Sequence, residues 1–501
     1  MKNKEITLKN GLKIVLIEDP QAPIVSIRSF VNVGSVYESR YQGSGISHYI
    51  EHIVTGGSTT QKTEKEYEKD IARLGGISNA YTTTDHTCYY INTTLENLNK
   101  AIQIQYEWLF HCKFNDAEVI RERQVISREI EKNNADKHRL FYYLCQENTY
   151  KMHPAKYPVI GYLANFLSLT KKDLHSFYKA HYIPSNITLV IGGPIQETSV
   201  IKTIEQTFGQ IPQKATTEKQ ICLEPFPLSK RSITRQGPIQ TTYLSLRFMT
   251  ITLCSNDLYT LDLIDFILGY GTQSMLYKHI VDTKKLAYSI STHSYTPHYT
   301  TGYFDITAEI DHKNKDKVIH EILSIISTLK TKKISETVLK KAKKQKITEN
   351  ILNINSIEDK VSQCGLSMIY AGNTHFFEDY VTNFTPISSK DIQKTACTYF
   401  NEKKLIITTL SPQDINKKII TKKTKKTSPL SKKITLPNGI RVILNKDNTL
   451  PKTHAQLLVK GGLLSETSDI NGIGYLVSSL LGTSTSQYTK KEIEDQIENN
   501  G

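Results

Sequence analysis

Short blocks of apolar residues, separated by polar turns, run through the first 135 residues of the chain. Apolar runs rich in β-branched residues predict strands at 13–18 and 24–33, and a Thr- and Tyr-rich stretch predicts a strand pair over 79–93. Apolar residues at helical spacing predict four helices, at 44–54, 63–74, 95–110 and 116–134. Asp116 is the predicted N-cap of the last helix. Because strands and helices interleave in blocks, the pattern favours an α+β fold over a regular parallel sheet.

An internal repeat organises the whole chain. The segment ITLKNGLKIVL at 6–16 is followed far downstream by ITLPNGIRVIL at 434–444, and the residues at 45–50 match those at 472–477. The second copy therefore begins about 427 residues after the first. We expect the chain to stop early in this second copy, as a fragment or truncated form of a longer protein.

A fainter repeat lies inside the first copy, where the helix end and apolar strand at 177–193 resemble those at 397–412. Each copy is thus expected to hold two related domains. The predicted organisation is a first domain over 1–210, a second over 225–412, a Lys-rich linker over 413–432 and an incomplete third domain over 433–501.

Composition excludes several classes of protein. The 501 residues are 38% hydrophobic and 22% charged, as in a folded soluble protein, and no apolar run is long enough for a membrane span. The net charge of +14 comes largely from lysines at 330–346, a helical stretch, and at 417–433. Neither stretch is interleaved with aromatic residues or arginines, so we expect no nucleic-acid binding.

Two further features bear on location. The start of the chain has no apolar core or cleavage site typical of a secretory signal, and the seven cysteines form no CxxC pair. Free thiols in a reducing compartment are predicted, and hence a cytoplasmic protein. A periplasmic location stays open if the true start differs.

The sharpest local motif is His48-Tyr-Ile-Glu51-His52. On a helix, side chains four residues apart lie on one face, so His48 and His52 can bind one metal ion. Glu51 points towards the same side, where a general base would take a proton from the attacking water. This order is the reverse of HExxH. The alternative reading is a polar helix face with two surface histidines.

A catalytic zinc site also needs a third protein ligand. The helix predicted at 116–134 offers Glu122 and Glu129, which lie seven residues and two turns apart on one face. Glu118 and Glu131 on the same helix are further candidates or surface charges. The residues alone do not choose among these acids.

Four segments together, at 34–38, 43–59, 74–90 and 119–130, resemble the insulinase/pitrilysin family of zinc peptidases. That family includes mitochondrial processing peptidases and bacterial relatives. The resemblance implies one zinc ion per chain, held by His48, His52 and a glutamate separated from His52 by 76 intervening residues, which is Glu129. It also implies that Glu51 is the catalytic base and that Glu122 orients the site from outside the ligand set. Each domain would be a mostly antiparallel sheet with helices on one face.

The family's peptide-binding strand matches Asn79, Ala80 and Thr82. An extended peptide can add to such an edge strand through backbone hydrogen bonds, so the resemblance implies that these residues contact substrate. The plain alternative for Asn79 is a turn residue that follows two glycines.

The chain departs from the family pattern in two places. In the third domain the metal-motif positions hold Tyr475, Ser478 and Ser479, which cannot bind zinc. The Arg and Tyr that the family uses to polarise the scissile carbonyl correspond to Val281 and Tyr288, so only the tyrosine is present. A missing second half or a partner chain would have to supply the pair.

The sequence therefore predicts a zinc-dependent endopeptidase that hydrolyses peptides or unfolded segments inside a closed chamber. Two alternatives remain at this point: an inactive, truncated chain that still binds zinc, and a non-catalytic partner subunit. The metal motif distinguishes the latter, because such subunits lose it and this chain keeps it.

Overall fold

The computed structural model describes the following residues: 3–215, 221–352, 354–413, 432–444, 455–462, 465–481, 483–490, 492, 493 and 496. The chain divides into two compact units, Met1–Asp414 and Ile415–Gly501. Within the first unit we call residues 3–215 the first lobe and residues 221–413 the second lobe. The predicted linker at 413–432 lies almost entirely outside the described residues.

The first lobe is built on a six-stranded sheet of order β1-β2-β6-β3-β5-β4. Its elements are, in chain order, β1 (Asn3–Thr7), β2 (Lys13–Glu18), β3 (Val25–Val31), α1 (Ile46–Gly56), α2 (Glu64–Arg73), β4 (Ile77–Thr82), β5 (Thr87–Thr93), α3 (Leu98–Phe110), α4 (Asp116–Ala135), α5 (Lys137–Thr149), α6 (Leu163–Leu167), α7 (Lys171–His181), β6 (Ile187–Gly193) and α8 (Glu197–Gln206).

The second lobe is built on a five-stranded sheet of order β7-β11-β8-β10-β9. Its elements are β7 (Arg231–Gly237), β8 (Thr242–Met249), α9 (Leu258–Gly269), a π-helical segment (Tyr277–Thr283), β9 (Ala287–Tyr295), β10 (Tyr303–Ile310), α10 (Lys315–Thr331), α11 (Glu336–Leu352), α12 (Ile357–Ala371), α13 (Phe376–Thr382), α14 (Ser389–Tyr399) and β11 (Ile406–Pro412).

The two sheets share one topology. In each, the strand that opens the shared pattern pairs in parallel with the last strand of the lobe, β2 with β6 and β7 with β11, and every other pairing is antiparallel. The strands β6 and β11 follow the helices α7 and α14, and these are the segments in which the sequence showed the fainter repeat. The predicted α+β class with mostly antiparallel sheets is confirmed.

The lobes exchange helices across their sheets. One face of the first sheet packs against its own helices, whereas the other face, with Phe30 and Val190, is covered by Val361 and Cys364 of α12 from the second lobe. In return, α5 of the first lobe covers the second sheet. A side chain at Gly365 would collide with Phe30, so glycine permits this close docking. Separating the lobes would therefore expose apolar surface on both sheets.

Two predicted details are corrected. The N-cap of α4 is Asn115, whose side chain accepts a hydrogen bond from the Ala117 amide, so Asp116 is the first helical residue instead of the cap. Asn115 has extended backbone angles, as an N-cap requires. The lysine-rich stretch at 330–346 is not one helix, because α10 ends at Thr331 and α11 begins at Glu336.

The second unit repeats local features of the first. Strands β12 (Lys432–Thr435) and β13 (Arg441–Leu444) form a hairpin, and α15 (Ile473–Leu480) follows. Gly439 in the hairpin turn has a φ of 84°, like Gly11 at 89° in the matching turn of the first lobe. Across the described residues, every helix is too short or too polar to span a lipid bilayer.

Candidate metal centre

Helix α1 carries the three residues of the central motif. Its buried stripe, with Tyr49, Ile50 and Ile53, packs into the core of the first lobe. His48 and His52 of the same helix face Glu129 and Glu122 of α4. The Tyr49 hydroxyl donates to the Val119 carbonyl at 2.6 Å, which ties α1 to α4 at the level of the motif.

His48, His52 and Glu129 converge. Their candidate ligand atoms all lie within 4.8 Å of one another, and His48 Nε2 is 4.0 Å from Glu129 Oε2. Atoms that each lie about 2.0–2.2 Å from one zinc ion are at most about 4.4 Å apart, so the group needs only small shifts to close around an ion. Two imidazoles and one carboxylate are a known donor set of catalytic zinc. Burial lowers the pKa of His48 to about 3, which keeps its ring neutral and able to act as a ligand.

Glu122 lies on the far side of His52 from this group. Its Oε2 is 3.0 Å from His52 Nδ1, and its Oε1 accepts a hydrogen bond from Arg121 Nε at 2.9 Å. Burial raises the pKa of Glu122, but the bonds to His52 and Arg121 outweigh this and lower it. The ionised carboxylate accepts the Nδ1–H of His52, which leaves Nε2 for a metal. The structure thus places Glu129, and not Glu122, against His48.

If Glu122 orients and polarises His52 as a metal ligand, replacing it with glutamine removes the charge and should weaken zinc binding by about 10–100-fold. A competition titration with a chromophoric chelator measures the affinity. The matched control is Glu131→Gln, the same change at an exposed position of α4. Equal affinities in wild type and Glu122→Gln would contradict an orienting role.

Glu51 is buried beside the ligand group, with 8% of its surface exposed. Thr82 at the end of β4 donates a hydrogen bond from its hydroxyl to Glu51 Oε2 at 2.6 Å. Burial raises the pKa of Glu51, and the bond from Thr82 and the charge of His52 oppose that rise only in part. A carboxylate with a raised pKa is a better proton acceptor, which suits a general base.

The three residues predicted to contact substrate all lie on β4. This strand is at one end of the six-stranded sheet, and in the described structure only β5 pairs with it. Asn79 is exposed and its Oδ1 accepts from the Ala80 amide at 2.9 Å, whereas Thr82 contacts Glu51. The terminal strand therefore runs up to Glu51 and presents an edge to which a peptide can add.

A cavity of about 440 Å³ opens beside the ligand group. Its lining includes His48, Thr82 and Glu129 together with Tyr142 and Tyr143 of α5. The volume is within the range of small ligand pockets, so a large side chain fits next to the candidate metal centre.

Glu38 holds the start of α1, a contact that the sequence did not predict. Its Oε1 accepts a hydrogen bond from the Ser47 amide at 3.0 Å, and its side chain is fully buried. Burial raises the pKa of Glu38 to about 8, against the opposing effect of the hydrogen bonds from the helix start. The segment around Glu38 contributed to the family resemblance, but nothing in a single sequence shows that this carboxyl is buried.

The raised pKa of Glu38 predicts a pH-dependent stability. The folded state keeps the proton up to about pH 8, whereas the unfolded chain releases it near pH 4.5. The contribution of this proton to the free energy of unfolding is therefore complete below about pH 4.5 and is lost as the pH rises towards 8. In urea denaturation, Glu38→Gln should become more stable relative to wild type between pH 5 and pH 8. A constant difference across that range would contradict a buried, protonated Glu38.

Among the described residues, neither the second unit nor the positions that match the family's Arg–Tyr pair form a second metal centre. Within the described ranges, His48, His52 and Glu129 form the single cluster of three or more candidate metal ligands. Tyr475, Ser478 and Ser479 lie on α15 and are exposed. In the second lobe, Tyr288 donates its hydroxyl to Asp311 at 2.8 Å, and Val281 packs against the apolar core.

Comparison with known families identifies the architecture. The model of the insulinase family (peptidase family M16) matches residues 13–162 and again 441–501, and the model of the peptidase M16 inactive domain matches residues 168–346. The chain belongs to the insulinase family. The predicted resemblance is therefore confirmed. Members of this family include zinc peptidases, and one of its domain types is described as inactive.

Several relatives of this insulinase-family protein are named zinc proteases. An uncharacterised zinc protease of Bacillus subtilis is 26% identical over 400 residues, which are 80% of this chain and 96% of the relative. The zinc protease PqqE of Helicobacter pylori is 25% identical over 421 residues, 82% of this chain and 93% of the relative. The β subunit of the mitochondrial processing peptidase of Saccharomyces cerevisiae is 24% identical over 402 residues, 77% of this chain and 86% of the relative.

A solved structure has the same fold. The crystal structure of a protease from Helicobacter pylori superposes with a TM-score of 0.75 and 24% sequence identity, and it covers 82% of this chain and 99% of that protein. This similarity supports the two-lobed architecture of the first unit.

Proposed function

We propose that this insulinase-family chain is a zinc-dependent endopeptidase, with His48, His52 and Glu129 as the metal ligands and Glu51 as the general base. The observation that carries the proposal is the convergence of the three candidate ligands next to a buried glutamate. The donor set and its spacing fit zinc, and the relatives named zinc proteases support that choice of metal. One such group in the described chain supports one ion per chain.

A zinc ion bound there would act as a Lewis acid that polarises the substrate carbonyl and makes water more acidic. Glu51 would take the proton from the attacking water and later give it to the leaving amine. Its Oε2 accepts the hydrogen bond from Thr82, so the hydroxyl fixes the carboxylate while the other oxygen carries the proton. Glu122 would hold His52 in the tautomer that binds metal through Nε2.

Peptides or unfolded segments are the proposed substrates. A peptide that adds to β4 would lie along Asn79 and Ala80 and reach Glu51 at Thr82, with one side chain in the adjoining cavity. Backbone pairing gives affinity with little sequence demand, so the chain is expected to accept several peptides. The predicted enclosure in a chamber needs a further domain or chain.

Two positions in the second lobe favour a second candidate function. There Val281, which the family resemblance matches to the arginine, packs against the apolar core, and the Tyr288 hydroxyl is bonded to Asp311. On this reading the chain binds zinc but cleaves peptides only when a partner supplies the Arg and Tyr. Relatives that are named subunits of a processing peptidase support the idea of a partner. The domain limits given above and a cytoplasmic location stay predictions.

The deciding experiment incubates the purified zinc-loaded chain with a set of internally quenched peptides, with and without a chelator. Hydrolysis that the chelator abolishes and added zinc restores is expected for an endopeptidase. Bound zinc without hydrolysis would favour the second candidate. A chain that binds no zinc would contradict both.

A further inference from the structure

A buried carboxylate lies at the turn between β4 and β5. Asp85 is 5% exposed, and its Oδ1 accepts a hydrogen bond from the Thr83 hydroxyl at 2.8 Å. The same oxygen is 2.9 Å from His86 Nδ1. The turn is also closed by the Thr83 amide, which donates to the His86 carbonyl at 2.8 Å. Asp85 therefore fixes the turn from inside the first lobe.

The second lobe reaches the same carboxylate. In the loop between β9 and β10, His298 places its Nδ1 3.3 Å from Asp85 Oδ2. The His298 ring packs on Tyr370 of α12 at a centroid distance of 5.3 Å, so this contact belongs to the surface where the lobes exchange helices. A buried carboxylate needs compensating partners, and here the two oxygens of Asp85 find them in different lobes.

The turn leads directly to the candidate general base. Thr82 precedes it and donates to Glu51 Oε2 at 2.6 Å. The backbone at 34–36 packs against the turn: Val36 donates its amide to the Thr84 carbonyl at 2.9 Å, and a Cβ at Gly34 would lie 2.5 Å from the Thr83 carbonyl oxygen. These contacts make the turn a short, closely packed connection between Asp85 and Thr82.

We infer that Asp85 and His298 are positioning residues, through which the second lobe fixes the Thr82 hydroxyl and hence the Glu51 carboxylate. The inference rests on the proposed function of Glu51. The second lobe, which holds none of the candidate metal ligands, would then contribute to the reaction within the same chain. This contribution would not depend on an arginine or tyrosine from a partner. A displacement of about 1 Å in a reacting group lowers rates by up to about 100-fold, so a small shift of the turn is enough to matter.

The test replaces His298 with phenylalanine, which keeps a ring against Tyr370 and removes the nitrogen that faces Asp85. We expect kcat for a quenched peptide to fall about 10-fold, with KM and zinc content unchanged. His298→Asn, which retains a side-chain N–H donor, should recover part of kcat. The matched control is His279→Phe, which breaks the 2.7 Å pair between His279 and Glu321 in the same lobe and should leave kcat unchanged.

A double-mutant cycle separates positioning from a general loss of structure. If His298 acts through Thr82, then adding His298→Phe to Thr82→Val should lower kcat no further than Thr82→Val alone. The inference would be overturned if the kcat losses of the two single variants multiplied in the double variant. It would also be overturned if kcat were unchanged in His298→Phe.

Hydrogen exchange tests the same contact without any activity. In His298→Phe the amides of 77–87 should exchange at least about 10-fold faster than in wild type and in His279→Phe. Unchanged exchange would overturn the inference whether or not the chain cleaves peptides. If the wild-type chain cleaves no peptide but His298→Phe still shows faster exchange, the result would contradict the proposed function and leave the contact between the lobes supported.

Discussion

Replacing Glu51 with glutamine is expected to lower kcat by about 10³-fold, with KM and zinc content close to those of wild type. Glutamine has nearly the same shape, and its amide oxygen still accepts the Thr82 hydrogen bond, but it takes no proton from water. Because Glu51 is not among the three converging ligands, the metal site should remain intact. Initial rates of peptide hydrolysis and zinc analysis of the same preparation measure both quantities.

The control for this change is again Glu131→Gln, which removes a carboxylate at an exposed position of α4 and should leave kcat unchanged. A Glu51→Gln variant that keeps a tenth or more of the wild-type kcat would show that another group accepts the proton. A variant that loses zinc together with activity would show instead that Glu51 belongs to the metal site.

Replacing His48 with alanine is expected to weaken zinc binding by more than the roughly 100-fold expected for loss of a residue outside the ligand set, because it removes one of the three proposed ligands. His48 lies 4.0 Å from Glu129, and only His52 and Glu129 would remain. Zinc content after dialysis against a zinc buffer gives the result. Peptide hydrolysis should disappear in parallel and return only at high zinc concentration.

His375→Ala is the matched control for this loss. His375 is exposed and lies 3.0 Å from Glu378, so its removal changes one histidine without touching the metal centre. Full zinc content in His48→Ala, at the level of His375→Ala, would mean that the ion binds elsewhere.

The local part of the site was predictable from the sequence. His48 and His52 are four residues apart, and the helical period alone places both on one face with Glu51 beside them. The ends of the first two helices were predicted to within two residues, and strand β2 was predicted at its observed limits. Such features depend on contacts between near neighbours in the chain, which an apolar pattern records directly.

The choice between Glu122 and Glu129 was not predictable from the residues alone. Both lie on one face of α4, and a periodic pattern does not show how α4 is placed along α1. The family resemblance assigns Glu129 as the ligand, and in the structure Glu129 lies 4.0 Å from His48 while Glu122 lies 3.0 Å from His52. The distinction depends on helix packing between segments some 70 residues apart.

The contacts between the lobes could not be predicted from the sequence. Nothing in α12 indicates that Val361 and Cys364 cover the first sheet instead of their own, since an apolar face looks the same against either sheet. The pairing of Asp85 with His298 likewise joins residues that no local pattern connects. The apolar pattern predicts which faces of helices and strands are buried, but it does not predict which elements pack against them.

The proposed activity depends on one metal ion bound by two imidazoles and a distant carboxylate. Crystals of the zinc-loaded chain, measured at the zinc absorption edge, test it most directly. We predict one strong anomalous peak in the first lobe, about 2.0–2.2 Å from a ring nitrogen of His48, a ring nitrogen of His52 and an oxygen of Glu129. A peak at any other place, or a peak here without Glu129 as a ligand, would contradict the account.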